Sequence, residues 1–376
     1  MSEPTISVLI PAHNAAAFIE QTLDSVVQQS LRPFEIVVVD DGSTDETARI
    51  VNRYVLSHGV RLVTQENSGQ SAARNRALAL ASGEYIKFLD ADDVLAPDAL
   101  RLQVDRLRGR SNCIAASDWA RFYDTVHSAR FVPEPVWLDL DPVAWLVTSW
   151  DSGGGMSQCG MFLIPRRLLA LAGGWNESLS FMEDFEFFTR VLLTCQEVLF
   201  TPGATLFYRS GLPNSVSGRR SREAAESALE AVTLSTQRLL REHDSSSTRH
   251  ACATVLQAFV HNNFPDHPDL LARAKAEAVR LGGSSRAPDG SLGFHVLRRM
   301  IGWRAARRVE LFAAKRGLTG NKLWRLCRPL FVSRQVGMFG QPTTEAVPTR
   351  HGPRASSELT YHYPSRREAI SPRTRE

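Results

Sequence analysis

The sequence predicts an α/β protein: a mainly parallel sheet flanked by helices, followed by a mostly helical C-terminal region. Three observations point there. Over the first hundred residues, short β-branched runs alternate with stretches of helical apolar spacing. Repeated β-α-β units of this kind build a parallel sheet with right-handed crossovers. From about Arg219 to Arg280 the apolar positions, among them Ala224, Ala228, Leu229 and Val232, keep a helical period instead.

Taken in order, Thr5 to Ile10 reads as the first strand, closed by Pro11. Phe18, Thr22, Leu23, Val26 and Val27 form the stripe of the first helix. Ile36 to Val39 is an uninterrupted β-branched run, as expected of a strand covered on both faces. In DDGSTDET, Ser43 followed by Glu46 predicts a capping box for a helix carrying Ile50, Val51, Tyr54 and Val55. Arg61 to Thr64 is a short strand, and a helix from about Gln70 is stopped by Gly83. Tyr85 to Leu89 is the next strand. The stretch from Ala99 to Ser210 is irregular, with strands at Cys113 to Ala116 and Met161 to Ile164, and a helix near Val143 to Val147. Glu183, Asp184 and Glu186 head a helix that continues through Leu192. A Gly/Ser/Pro-rich linker spans 282 to 293. Beyond Gln341 the chain is polar and nearly free of aliphatics, which predicts disorder.

The totals limit the function classes. The chain has 376 residues, 43% hydrophobic and 22% charged, which fits a globular protein of about two domains. No run of 18 apolar residues suggests a transmembrane helix, and acidic Glu3 argues against a signal peptide. The five cysteines are scattered and unpaired by motif, which predicts reduced thiols in the cytoplasm. From Arg286 onward, 18 Lys+Arg stand against 6 Asp+Glu, while the rest of the chain is acidic. Such a segment suits an anionic partner (a membrane surface, an acidic polymer or nucleic acid) or is simply solvated. No aromatic interleaving supports nucleic acid, so none is expected as a partner. In HVLRRMIGWRAARRVELFAAKRG, Leu297, Ile301, Ala305, Val309 and Phe312 share a helical face, interrupted by Arg304 and Arg308. Peripheral contact with an anionic membrane, at its inner face, is the expectation drawn from it.

Ligands of open parallel sheets bind beyond the carboxyl ends of the strands. Here those ends carry Pro11, His13 and Asn14, then Asp40 and Asp41, then Asp90, Asp92 and Asp93. Carboxylates gathered this densely repel one another and resist burial unless something joins them. A second acidic pair, Glu183 and Asp184, sits at a helix start, where acids are also common for purely structural reasons.

VLIPAHN, IVVVDDGSTDET, NSGQSAARNRAL, YIKFLDADDVL, GGWNESL and MEDFEFFTR, in this order, resemble the family 2 glycosyltransferases, inverting enzymes with a GT-A fold. The resemblance covers about residues 4 to 210. It implies a GT-A-type domain at 1–212, beyond which the composition places a helical, basic region at 213–340 and a disordered tail at 341–376. It implies transfer of a sugar from a nucleoside-diphosphate donor, UDP-linked, to a saccharide, lipid-linked or protein hydroxyl.

Residue by residue, the resemblance assigns Asp92 to a divalent cation, Mn²⁺ or Mg²⁺, and Asp90 to the ribose. Such hard cations take carboxylate and phosphate oxygens and neutralise a leaving diphosphate. Asp93 reads as structural, in a turn or capping the helix that begins near Pro97. Asp41 or its neighbour Asp40 meets a uracil imide N–H, with Pro11, Ala12 and His13 framing the base. Asp40 alternatively closes an Asx-turn. Arg74 approaches the nucleotide or Asp92, or else is a solvated helix residue. Asp184 is the base, with Glu183 second. Trp175 offers a flat face to an acceptor sugar, or is buried core. The chain departs from the pattern at Asn176, often Asp, and at His13, often Tyr. It lacks the Q-x-x-R-W stretch of polymerising members. Two rivals stand beside this reading: a nucleotide-sugar-binding protein without turnover, and a sugar-nucleotide nucleotidyltransferase. The latter is disfavoured by the glycine-free PAHNAAAF after the first strand.

Overall fold

The computed structural model describes residues 4–212 and 221–316. The expected tail from 341 onward, and the end of the basic region before it, lie outside the described residues.

The chain opens with β1 (Ile6–Ala12), α1 (Ile19–Val27), β2 (Glu35–Asp41), α2 (Thr47–His58), β3 (Arg61–Gln65), α3 (Gln70–Leu80) and β4 (Tyr85–Phe88). These strands pair in parallel in the order β3-β2-β1-β4. All seven positions of β1 are buried, because helices cover both faces. The order reverses at β1: β2 and β3 lie on one side and β4 on the other. The crevice beyond the carboxyl ends of β1 and β4 is therefore the topological switch point.

Pro11 does not close the first strand. β1 continues to Ala12, with Pro11 opposite Val39. Pairing with β4 ends at Leu9, so one edge of β1 is already open at Pro11 and the missing N–H is tolerated. The Ser43–Glu46 capping box is also absent. α2 starts at Thr47 without a side-chain cap, and Ser43 Oγ instead accepts the Asn14 N–H at 2.9 Å. Asp45 accepts from the Thr47 and Ala16 N–H groups at 3.0 Å each, binding the two loops together. α3 ends at Leu80, short of Gly83. That glycine answers a close approach: a Cβ there would lie 2.6 Å from Ser7 Oγ and 2.7 Å from Ser7 N.

The chain continues with β5 (Val94–Leu95), α4 (Ala99–Leu107), β6 (Cys113–Phe122), β7 (Arg130–Phe131), α5 (Pro142–Asp151), β8 (Phe162–Pro165), α6 (Arg166–Ala172), α7 (Glu183–Leu192) and β9 (Glu197–Arg209). The sheet extends from β4 through β8, β6, β9 and β5 with mixed polarity, and β7 pairs with β6. β6 runs to Phe122, well past the predicted Ala116. Asp93 caps no helix. It is fully buried, accepting from Arg209 N–H at 2.9 Å and Gln158 Nε2 at 2.7 Å, so it pins β9 to the loop after β4.

Helices α8 (Arg222–Glu242), α9 (Ser246–Asn263) and α10 (Pro268–Arg280) follow. Ser221 caps α8, and Ser245 with Thr248 forms a capping box on α9. α8 packs on α7 and α9 packs on α5, so the helical region abuts the acidic helix start. α11 (Leu292–Lys315) is broken by Gly302 at φ 76, so the apolar face expected from Leu297 to Phe312 is not continuous. Cys113, Cys159, Cys195 and Cys252 are free and buried, and Cys327 lies outside the described residues. Among the described residues no helix is long and apolar enough to cross a membrane.

Candidate active site

The ends of β1, β2, β4 and β9 and the start of α7 face one open cleft of about 1300 Å³. Its lining includes Pro11, Ala12, His13 and Asp41, then Asp90, Asp92 and Arg209, and Glu183 and Asp184.

The first group is built by hydrogen bonds between strand-end loops. His13 Nδ1 donates to the Asp41 carbonyl at 2.8 Å, which places the ring proton on Nδ1. Nε2 is then the acceptor that Asn14 Nδ2 meets at 3.1 Å. Asn14 takes a positive φ of 50°, a region asparagine tolerates. The buried Asp41 carboxylate accepts from Gln65 Nε2 at 2.7 Å, Ser68 N at 2.9 Å and Gly69 N at 2.9 Å. Gly69 is at φ 92°, a conformation that favours glycine. Asp41 thus shapes the loop leading into α3, and about one acceptor direction of its carboxylate is left for a ligand. Asp40, on the other face of β2, does not line the cleft. Its Oδ1 accepts the Ser43 N–H at 3.1 Å, the Asx-turn alternative.

Arg74 is the hub. It is not a solvated helix residue: it is completely buried in α3, where helix packing against β1 and β2 carries it inward. Nη2 donates to Asp90 Oδ1 at 2.7 Å, while Nη1 lies 3.3 Å from Glu183 Oε1 and 3.5 Å from Asp184 Oδ1. Burial opposes its charge, but Asp90 and Asp184 outweigh it and hold the guanidinium charged. Its guanidinium carbon sits over the Trp175 ring, 4.2 Å from the centroid. Phe187 stacks on Trp175 with centroids 3.8 Å apart. Both faces of that indole are therefore taken, and Trp175 does not line the cleft. The expected acceptor platform is instead the core support of Arg74.

The acids differ in how they are held. Asp90 accepts from Gln70 Nε2 at 3.0 Å, Arg74, and Gln158 Nε2 at 3.0 Å, with Cys159 Sγ at 3.5 Å. Asp92 receives no side-chain hydrogen bond from the described residues. Burial and the neighbouring Asp90 push its carboxyl up to about 6. Burial, then Asp92 and Asp90, hold the Asp93 carboxyl well above the usual range. Asp184 is raised likewise: burial leads, Arg74 pulls it down, and Glu183 and Asp90 push it up. Its Oδ1 is buried without a hydrogen bond. The α7 dipole favours the ionised form, and burial overrides it.

Gln158 and Arg209 were not legible as site residues. Gln158 Nε2 bridges Asp90 and Asp93, and its Oε1 accepts the Gly160 N–H at 2.6 Å. Arg209 donates from Nε to the Asp92 carbonyl at 2.8 Å and from Nη2 to Gln21 Oε1 at 2.6 Å. Its guanidinium carbon lies 4.8 Å and 4.5 Å from the Phe18 and Phe122 ring centroids. The only hint of Gln158 was its place in the irregular DSGGGMSQCG loop.

Asp41, Asp90, Asp92, Glu177, Glu183 and Asp184 line the cleft against Arg74 and Arg209. An anionic ligand entering such a cleft needs a cation with it. Among the described residues no cluster of three His, Cys, Asp or Glu side chains is arranged to hold a metal alone. Asp92, lacking a side-chain donor, suits a hard cation whose remaining ligands are phosphate oxygens and water.

Residues 7–161 match the family model described as glycosyl transferase family 2. The chain is 30% identical over 190 residues to chondroitin synthase of Escherichia coli, covering 50% of this chain and 26% of the relative. It is 40% identical over 100 residues to hyaluronan synthase of Pasteurella multocida, covering 26% of this chain and 10% of the relative. The chain thus spans about a quarter and a tenth of these relatives' lengths. In fold it is similar to S. aureus TarS 1-349 in complex with UDP-GlcNAc, with a TM-score of 0.60 at 20% identity over 74% of this chain and 81% of that one. S. aureus TarS 1-349 without that ligand gives 0.56 at 19% identity over 90% and 93%. Sheet order, strand-end acids and the matched residues agree: residues 7–161 are similar to glycosyl transferase family 2, on a fold similar to that of TarS.

Proposed function

We propose that this chain is an inverting glycosyltransferase that moves a sugar from a UDP-linked donor to a hydroxyl acceptor, with Asp184 as base. One observation carries the reading: Asp92 and Asp184 face the same cleft, and Arg74 ties Asp90 to Glu183 and Asp184 across it. A single displacement needs a carboxylate that takes the acceptor proton as the acceptor oxygen attacks the anomeric carbon. The bond to the diphosphate breaks as the new one forms, and the nucleoside diphosphate leaves. Asp184 suits the base because its raised carboxyl holds a proton more tightly than an ordinary aspartate. Glu183 is engaged with Arg74 at 3.3 Å and ranks second.

Pro11, Ala12, His13 and Asp41 frame the base of the donor, and Asp90, fixed by Arg74 and Gln158, faces its ribose. A divalent cation held by Asp92, Mn²⁺ or Mg²⁺, would neutralise the charge gathering on the departing diphosphate. UDP-GlcNAc, the ligand of the TarS structure, is the first donor to try. The names of the relatives favour cell-surface polysaccharide as the setting.

The test is a transfer assay across nucleotide sugars, alongside thermal shift with and without Mn²⁺. The proposal expects one donor to stabilise the protein only with metal, and Asp184→Asn to retain that stabilisation without transfer. Wild-type rates from Asp184→Asn refute the base. Donor binding without transfer or hydrolysis by the wild type makes the chain a binding protein.

On α11, exposed Ile301, Val309 and Phe312 lie among exposed Arg299, Arg304 and Arg308. They support a second proposal, peripheral contact with anionic lipid. Equal flotation of the full chain and a chain ending at Gly282 on anionic liposomes would remove it.

A further inference from the structure

α8 reaches into the site from outside the sheet. Ser227 on its second turn is 8% exposed and points at the loop before α7. Its Oγ accepts from the N–H groups of Ser180 and Phe181, each at 3.0 Å. Its own proton goes to the Phe181 carbonyl at 2.9 Å. A serine hydroxyl has two lone pairs and one proton, so the whole capacity of Ser227 is committed to this one loop.

The next residue, Met182, is left-handed at φ 59 and ψ 25, and α7 begins immediately after it with Glu183 and Asp184. Left-handed backbone is unusual for methionine and persists only where the surroundings impose it. No side chain caps α7 at Met182. Two turns along α8, Ser235 Oγ donates to the Phe185 carbonyl at 3.5 Å, so the same helix face meets the loop before α7 and then α7 itself.

We propose that Ser227 is a positioning residue for the reaction. By pinning 180–181 it imposes the turn at Met182 that aims Asp184 into the cleft. The helical region is then part of the active site and not an appendage to it. This rests on the reading of Asp184 as base, since the base must meet the acceptor proton within hydrogen-bond reach.

The test uses the full chain with Ser227→Ala, Ser227→Thr and Asp184→Asn. In Ser227→Ala, kcat is expected to fall about 10- to 100-fold, the scale of a small misplacement of a catalytic group. The donor KM should stay within about twofold, because the strand-end residues that frame the donor make no contact with Ser227. Hydrogen exchange at Ser180 and Phe181 should quicken, and Ser227→Thr, which keeps the hydroxyl, should restore both rate and protection. Two results overturn the proposal: Ser227→Ala with wild-type kcat while Asp184→Asn is inactive, or unchanged exchange at Ser180 and Phe181. Failure of the base assignment shows separately, as transfer by Asp184→Asn at the wild-type rate.

Discussion

Replacing Arg74 with methionine keeps much of the side-chain volume and removes the one cation shared by Asp90, Glu183 and Asp184. The Arg74 side chain is 1% exposed, and those of Glu183, Asp90 and Asp184 are 9%, 18% and 26%. Deleting one partner of a buried ion pair costs about 3–5 kcal/mol, because the other charge stays behind unpaired. The lost contact over Trp175 adds up to about 2 kcal/mol, which a methionine sulfur on the ring partly offsets. We expect a net loss of about 3–5 kcal/mol at pH 7.5, a fall in melting temperature of roughly 6–20 °C for a domain of this size. The deficit should shrink toward pH 5. Without Arg74 the Asp184 carboxyl, already raised by burial, loses the charge that pulls it down, and a protonated carboxyl needs no counter-charge. Arg74→Lys should fall between, keeping the charge but not the fork that spans Asp90 and Glu183. Differential scanning fluorimetry of the three proteins from pH 5 to 8 reads this directly. A melting temperature for Arg74→Met within 2 °C of wild type at pH 7.5 would refute the hub.

Further outcomes follow from the same geometry. The folded Asp92 carboxyl is pushed up to about 6 from an ordinary 3.8. Its contribution to stability is therefore complete below the unfolded value and lost as pH rises through 6. The melting temperature of the wild type relative to Asp92→Asn should fall over that window. Mn²⁺ with a nucleotide sugar should reverse the fall above pH 6 and do little at pH 4.5; equal stabilisation at both would count against Asp92 as ligand. Trp175→Phe should lower stability by about 1–3 kcal/mol while leaving the acceptor KM unchanged, since the indole is core. A rise in acceptor KM alone would restore it as a sugar platform. Gln158→Leu strips a donor from both Asp90 and Asp93, costing about 1–3 kcal/mol for each group left unsatisfied, read by urea unfolding. No change would mean that water replaces the amide.

The parallel core was legible because its information is local. Val37, Val38 and Val39 form a run that only a doubly covered strand accommodates, and all three are buried. Acids that stop such runs must lie at strand ends, so Asp41, Asp90 and Asp92 could be placed in one region before any contact was known. Asp184 was singled out only through the resemblance, since acids head helices often for structural reasons alone; the structure brings it to the same cleft. The Ser43–Glu46 cap failed because tertiary contact won over local preference: the β1 loop took Ser43 for Asn14. Arg74, Trp175 and Ser227 needed the fold.

The sequence by itself determined the strand–helix alternation and which carboxylates stand at the sheet margin, because hydrophobic period and chain breaks act between near neighbours. The tertiary structure alone decided how those acids are used. Arg74 meets Glu183 across 109 residues and Ser227 meets Phe181 across 46. No periodic pattern encodes such distances. They arise when packing drives a polar or charged side chain out of water, where it must find a partner or stay unpaired.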